Sequence, residues 1–545
     1  METKKGPLKG LIQDAIKSMD FNSEQKPVNV QPSSKSILKE KMINAHKFEH
    51  PVNSDSEENA VKHHKEKTLN KKYKAEDYVK WFSELSNKDI QIAGGKGASL
   101  SEMYNAKFPV PQGFIITAQS FDYLITKSGI KDKIHSILGE VDVDNTEELN
   151  KSSKEIRELI EKQEIPRDLR DEILESYNIL SSEKIDKKGV STDAINILKN
   201  SHEPVFVSVR SSATTEDLAD ASFAGQQETF LNIKGSSELI ENIKKCFSSL
   251  YTPRAIFYRK NKGFEEKASL LAVVVQKMID SEKSGVVFSK NPIKSDESIT
   301  IEAVFGLGEG IVSGRIKPDR YNVSKELKIK NIKVSNKKIA VVRTASGKNG
   351  IAKLNPERSN QQVLSNSEIL EVADYAIKLE NYYKKPQDIE FAIDMGKVYI
   401  IQSRPITTFH KKEHEKIITG NVILEGQSAS QGIGTGIVKI IKLMDDLYKI
   451  KKGDVLVTEM TNPDMVVAMQ KSVAIVTDEG GITSHAAIVS REMGVPCIVG
   501  TENATKVLKD GMRITVDGSS GKIYEGEVAE TKTVEIKKAV KTERI

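Results

Sequence analysis

Residues 472–500, SVAIVTDEGGITSHAAIVSREMGVPCIVG, constrain the fold more tightly than any other stretch of this 545-residue chain. SVAIVT is almost continuously apolar, which predicts a strand buried on both faces. DEGG is a turn. SHAAIVSREM then has a helical pattern, with Thr483 or Ser484 as its cap. Gly494 ends the helix and VPCIVG begins another strand. This strand–turn–helix–strand unit places His485 in the first helical turn. A helix start offers unpaired N–H groups and about half a positive charge, so it favours anions and keeps an imidazole neutral. Neutral imidazole is a nucleophile. Two glycines just before it allow a phosphate donor to approach the backbone. The position suits a phosphohistidine, although a histidine that only bonds the turn backbone is the plainer reading of these residues alone.

The rest of the chain narrows the function class. Its 82 basic and 77 acidic side chains nearly balance, at a net charge of +5, which argues against a nucleic-acid binder. Cys246 and Cys497 make neither a disulfide framework nor a zinc site, and fit a reducing, cytoplasmic setting. METKKGPLKG lacks the apolar core of a signal peptide, and no run of 18 apolar residues predicts a membrane span. Residues 1–75 are polar and read as a disordered extension, with a short helix at 10–19. His46, His50, His63 and His64 read as solvated tail histidines rather than a weak metal site.

Globular patterning starts at Trp81. Helices are expected at 97–106, 118–127 and 153–163, and strands at 204–212, 270–279, 285–290 and 298–304. They mix without strict alternation, so the fold class is α+β, in several domains. A hairpin, DIEFAIDMGKVYIIQSRPIT, closes this part, which runs over 76–407. Residues 408–420 read as a linker, 421–527 as a second compact unit and 528–545 as a flexible tail.

Three stretches have the chemistry of a phosphate site. AGGKGASL, residues 93–100, is a glycine turn feeding a helix. Gly94, Gly95 and Gly97 offer N–H groups there and Lys96 a mobile charge, although such turns are common. Arg210 closes an apolar strand and points into a hydroxyl-rich turn, where a guanidinium can grip two phosphate oxygens or stand as an ordinary surface arginine beside a serine-rich loop. FAGQQ, residues 223–227, then suits a small covering loop. In the hairpin, a three-residue loop at Met395-Gly396-Lys397 sets Glu390 opposite Gln402 and Asp388 opposite Arg404. A two-residue loop puts Glu390 and Gln402 on opposite faces. In the first register a carboxylate and an amide oxygen converge, which suits Mg²⁺, although an ordinary surface cross-strand pair is the plainer reading.

TDEGGITSHAAIVSREMGVPCIVG resembles the phosphohistidine signature of the phosphoenolpyruvate synthase and pyruvate phosphate dikinase family. GDVLVTEMTNPDMVVAM resembles the strand and loop before it, and the likeness runs from about 78 to 527. The resemblance implies an ATP-grasp-like nucleotide domain followed by a small β/β/α swivelling domain whose His485 carries phosphate. It implies ATP held by Lys96, Arg210 and Arg404, with Mg²⁺ on Glu390 and Gln402. Glu302 would meet the nucleotide and Gln276 would lie near the base. The segment 408–420 and the tail would be hinges. Thr483 matches a position that some members regulate by phosphorylation, though capping is its plainer role. Family members continue into a barrel for pyruvate and phosphoenolpyruvate that this sequence does not contain. Three readings follow: a synthase whose barrel is a separate chain, with pyruvate as acceptor; a phosphotransferase or carrier for another acceptor; or a non-catalytic ATP-binding regulator. The intact charged positions argue against the last.

Overall fold

The computed structural model describes residues 78–531 except 144, 183–202, 215–227, 262, 264–268, 293–296, 407–416, 419 and 529. The extension 1–75 with the short helix expected at 10–19 and its four histidines, the FAGQQ loop, and most of 408–420 and of the tail lie outside the described residues.

Strands β1 (Val79–Trp81), β2 (Gly113–Ile116), β3 (Val207–Ala213), β4 (Thr229–Ile233) and β5 (Leu271–Lys277) form an antiparallel sheet in the order β1-β2-β5-β3-β4. The valine run of β5 is explained by burial on both faces. Leu271, Val273 and Val275 join a core with the helices Ala118–Lys127, Thr146–Glu161 and Ser236–Ser248. Ala272 and Val274 point the other way, into a second core. The glycine-turn helix runs over Ile90–Asn105, longer than expected, with a non-helical Gly94 inside it.

The second sheet is also antiparallel. It contains β6 (Lys283–Phe288), β7 (Ile299–Phe305), β8 (Asp319–Val323) and β9 (Ile329–Lys333), followed in the chain by a separate hairpin, β10 (Ile339–Arg343) and β11 (Asn349–Lys353). β12 (Gln387–Asp394) and β13 (Lys397–Pro405) complete it, in the order β13-β12-β6-β7-β8-β9. One face, with Val287, Ile301, Ile389 and Phe391, packs on the helix Asn366–Tyr383. That helix opens on a capping box in which Ser365 and Glu368 satisfy each other's backbone N–H groups.

The hairpin corrects the expected three-residue loop. Asp394 pairs with Lys397, so the turn is the two residues Met395 and Gly396, both at positive φ. That register alone would turn Gln402 away from Glu390. A β-bulge restores the pairing: Phe391 faces Ile400, Glu390 faces Gln402, and Ile401 is the extra residue. The bulge inverts the alternation of β13. Val398 and Ile400 are in the core before it, whereas Gln402 and Arg404 lie on the opposite face after it.

After β14 (Ile417–Ile418), which pairs with β23 (Glu530–Thr531), comes an eight-stranded mixed sheet. Its strands are β15 (Val422–Glu425), β16 (Gln427–Ser430), β17 (Ile433–Ile440), β18 (Asp454–Thr458), β19 (Ala474–Thr477), β20 (Cys497–Val499), β21 (Arg513–Asp517) and β22 (Lys522–Glu525), in the order β15-β22-β21-β17-β18-β19-β20-β16. β17 to β20 are parallel. Leu456, Ile475 and Val499 pack on the helix His485–Met493, and Val457, Val476 and Ile498 fill the core on the other face. Burial on both faces is the reason for the unbroken apolar run in SVAIVT.

Candidate functional site

Arg210 gathers the first half of the site. On β3, Val207 and Val209 face the helical core, so Arg210 faces the second sheet. Its side chain is buried, 7% exposed. Its Nη2 donates to Gln402 Oε1 at 2.5 Å and lies 3.5 Å from Glu390 Oε2. Its Nη1 donates to the Ile401 carbonyl at 3.1 Å and to Gln276 Oε1 at 3.4 Å. The bulge residue thus presents its carbonyl to the same guanidinium that binds the two oxygens brought together by the bulge. Arg210 Nε is buried without a hydrogen-bond partner among the described residues. Gln276 is buried on β5, and its Nε2 reaches the Pro111 carbonyl at 3.4 Å.

The glycine turn lies beside this cluster but is built for packing. Gly94 has φ +67°, and a Cβ there would sit 2.2 Å from the Ser212 carbonyl oxygen. The Gly97 N–H donates to Ser212 Oγ at 3.0 Å, and that hydroxyl donates to the Ala93 carbonyl at 2.7 Å. The glycines therefore let the helix start close against β3, and the Gly97 N–H is not presented to a ligand. Lys96 is half-buried, and its charge acts on the buried Cys246 thiol. Arg404 pairs with Asp388 through Nε and Nη2 at 3.0 and 2.9 Å, and its Nη1 lies 3.6 Å from Glu492 on the helix His485–Met493.

His485 is the first residue of that helix, at the carboxyl end of the parallel strands. Gly494, at φ +67°, terminates the helix. The ring is buried, 8% exposed. Nδ1 is 2.8 Å from Thr461 Oγ1. Nε2 is buried with no hydrogen-bond partner among the described residues. Burial, and after it the positive charge of Arg254, pull the imidazole down to about 3, so the ring is neutral at physiological pH. The helix-dipole argument gives the same charge state.

Neither expected cap is formed by a side chain. Ser484 Oγ turns back to the Gly481 carbonyl at 2.8 Å, and Thr483 Oγ1 donates to Glu302 Oε2 at 2.6 Å. Glu302 is on β7, 1% exposed, and its other oxygen accepts from Arg320 Nε at 3.0 Å.

Two residues of this site have no sequence signature. Thr461 lies in the quoted stretch before the histidine signature, but nothing local marks its contact with residue 485. Arg254, on the helix Pro253–Asn261, is buried and paired with Asp464 Oδ1 at 2.6 Å. Only the chain fold brings its charge to His485. Chemically, the arrangement offers a neutral buried nucleophile and a cationic cluster holding a carboxylate and an amide oxygen. The donors suit a hard cation that is also held by phosphate oxygens. No described group of three or more His, Cys, Asp or Glu side chains forms a metal cage of its own. No described helix is long and apolar enough to cross a membrane.

Residues 90–422 match the family described as pyruvate phosphate dikinase, AMP/ATP-binding domain, and residues 450–521 match the PEP-utilising enzyme, mobile domain. The chain is 50% identical over 457 residues to a probable phosphoenolpyruvate synthase of Archaeoglobus fulgidus, covering 83% of this chain and 58% of the relative. It is 44% identical over 455 residues to one from Methanothermobacter thermautotrophicus, covering 83% of this chain and 64% of the relative. It is 44% identical over 495 residues to the phosphoenolpyruvate synthase of Pyrococcus furiosus, covering 82% and 59%. The chain thus spans less than two thirds of the length of these curated relatives.

Proposed function

This chain belongs to the phosphoenolpyruvate synthase and pyruvate phosphate dikinase family, and we propose that it is an ATP-dependent phosphotransferase that forms phosphohistidine on His485 Nε2. The observation that carries this reading is the imidazole itself. It is neutral, its Nδ1 is engaged by Thr461, and its Nε2 is buried without a hydrogen-bond partner among the described residues. A proton on Nδ1, donated to Thr461 Oγ1, leaves the Nε2 lone pair free for in-line attack.

In this reading ATP lies between the first two sheets in an ATP-grasp arrangement. Lys96, Arg210 and Arg404 neutralise the triphosphate, and Gln276 lies near the base. The Nε of Arg210, buried without a partner among the described residues, supports the reading because it offers an N–H for a phosphate oxygen. Glu390 and Gln402 would hold Mg²⁺, which supplies charge neutralisation to the phosphates when bound. Family precedent leaves the β-phosphoryl group on histidine and releases AMP and the former γ-phosphate, with one water consumed. Arg254, close enough to depress the imidazole, is suited to stabilise charge as it develops on the transferring group.

The domain of His485 would then swivel, with hinges in 408–420 and after 527, to deliver phosphate to pyruvate on a barrel supplied outside this sequence. The decisive experiment uses ATP labelled separately at the β and γ positions, with Mg²⁺. Acid-labile, alkali-stable label from the β position, absent in His485→Ala, is expected. Label from the γ position only would indicate a simple histidine kinase. ATP binding without label would overturn the carrier role for this chain alone.

A further inference from the structure

Another buried guanidinium stands on the helix that begins at His485. Arg491 is 6% exposed. Its Nη2 donates to the Ile482 carbonyl at 2.7 Å and its Nη1 to the Ala429 carbonyl at 3.0 Å. Burial disfavours the charge, Asp388 supports it and Arg404 opposes it, and the net effect holds the group below its usual value. No hydrogen bond joins it to a carboxylate among the described residues. A charge placed this deep is costly, so the two carbonyls it holds are where its purpose lies.

One carbonyl belongs to the turn and the other to the edge of the sheet. Ala429 is the residue that a β-bulge leaves outside the pairing of β16 with β20, where Ser428 faces Ile498 and Ser430 faces Cys497. β16 is an edge strand of the eight-stranded sheet. Arg491 thus ties the histidine turn to that edge. The same device occurs in β13, where the bulged Ile401 gives its carbonyl to Arg210. A planar fork fixes two acceptors in one orientation, which a lysine ammonium does not. Because a peptide unit is planar, fixing the Ile482 carbonyl also fixes the N–H side of Thr483, and with it the entry to Ser484 and the first helical turn. Other contacts of this turn end elsewhere. Thr483 bonds Glu302, and Ile482 packs with Val286, Phe288 and Val304, all in the nucleotide part. In the swivelling reading those contacts are given up when the domain of His485 moves. Both acceptors of Arg491 lie within that domain and travel with it.

We propose that Arg491 is a positioning residue for phosphoryl transfer: by bonding the Ile482 and Ala429 carbonyls it locks the turn that carries His485 to the edge of its own sheet, so that the imidazole keeps one geometry both at ATP and away from it. This rests on the reading of His485 as phosphoryl acceptor. Arg491 touches neither the imidazole nor the nucleotide in this role and acts through the backbone of the turn.

The test uses the full chain with Arg491→Lys, which keeps the charge and loses the fork, and Arg491→Met, which loses both. Phosphohistidine formation is read with β-labelled ATP in single turnover, as a rate and as the fraction of chains labelled, and ATP affinity by equilibrium binding. Arg491→Met is expected to slow labelling about 10- to 100-fold at saturating ATP, with Arg491→Lys between it and the parent, and with the ATP dissociation constant within about twofold of the parent in both. Hydrogen exchange at 480–485, followed by mass spectrometry without nucleotide, is expected to quicken at least about threefold in both variants. A lower labelled fraction at the parent's rate is what a merely structural role produces, and it would overturn the proposal. A parental rate at saturating ATP with about tenfold weaker ATP affinity would make Arg491 a nucleotide ligand and overturn it too. Unchanged exchange at 480–485 would remove the lock. If the parent itself takes no label, the carrier reading fails, while the exchange comparison still tests the lock.

Discussion

Replacing Thr461 by Val removes the hydroxyl 2.8 Å from His485 Nδ1 with little change in volume. For Nε2 to attack phosphorus, the ring proton must sit on Nδ1. In the parent protein that N–H has Thr461 Oγ1 as its acceptor. In Thr461→Val it is buried without an acceptor, which costs about 1–3 kcal/mol. The productive tautomer is penalised by that amount, and about 1.4 kcal/mol is a tenfold change in rate. Phosphohistidine formation should therefore slow by about 5- to 150-fold, whereas Thr461→Ser, which keeps the hydroxyl, should stay close to the parent. The assay is rapid-quench single turnover with β-labelled ATP, with thermal melts to confirm that both variants fold. If Thr461→Val labels within twofold of the parent while His485→Ala takes no label, the hydroxyl does not select the tautomer and the reasoning fails.

Other expectations follow from the same geometry. Because burial pulls His485 from the usual 6.5 to about 3, the unfolded chain binds more protons than the folded one between those values, so stability falls as pH drops through that window. Urea melts at pH 6.5 and pH 5 should show the parent losing up to about 2 kcal/mol more than His485→Ala, and equal losses would refute the depressed value. Gly94→Ala should destabilise by about 2 kcal/mol or more in thermal or urea unfolding, because it combines positive φ with a Cβ against the Ser212 carbonyl, and it should also weaken ATP binding by displacing β3. Gln402→Leu should raise the Mg²⁺ concentration needed for half-maximal labelling by roughly tenfold, read from a magnesium titration at saturating ATP. A titration that superimposes on the parent's would remove Gln402 from the metal site.

Much of the fold was legible because its signals are local. The helix Ala118–Lys127 falls where its periodicity put it, and SVAIVT and VPCIVG form adjacent parallel strands around the helix that begins at His485. That His485 opens the helix was legible for the same reason: a few neighbouring residues define it. The strands Val422–Glu425 and Ile433–Ile440 were missed because one is a short edge strand and the other is interrupted by glycines that pack against the Val473 and Gly453 carbonyls.

What only the tertiary structure decided is how distant residues are paired. Alternation along β13 reads as one uninterrupted strand, yet a single extra residue at Ile401 brings Gln402 round to Glu390 and Arg404 to Asp388. No local pattern marks such a bulge, since its cause is the pairing with another strand. Arg210 meets Gln402 across 192 positions, and Thr483 meets Glu302 across 181. The residue types at 210, 302, 390, 402 and 485 were set by sequence. Which of them touch, and which of them instead join the histidine turn to the sheet, was decided by burial. A buried charged or polar group is costly without a partner, and only the folded chain determines which partners are within reach.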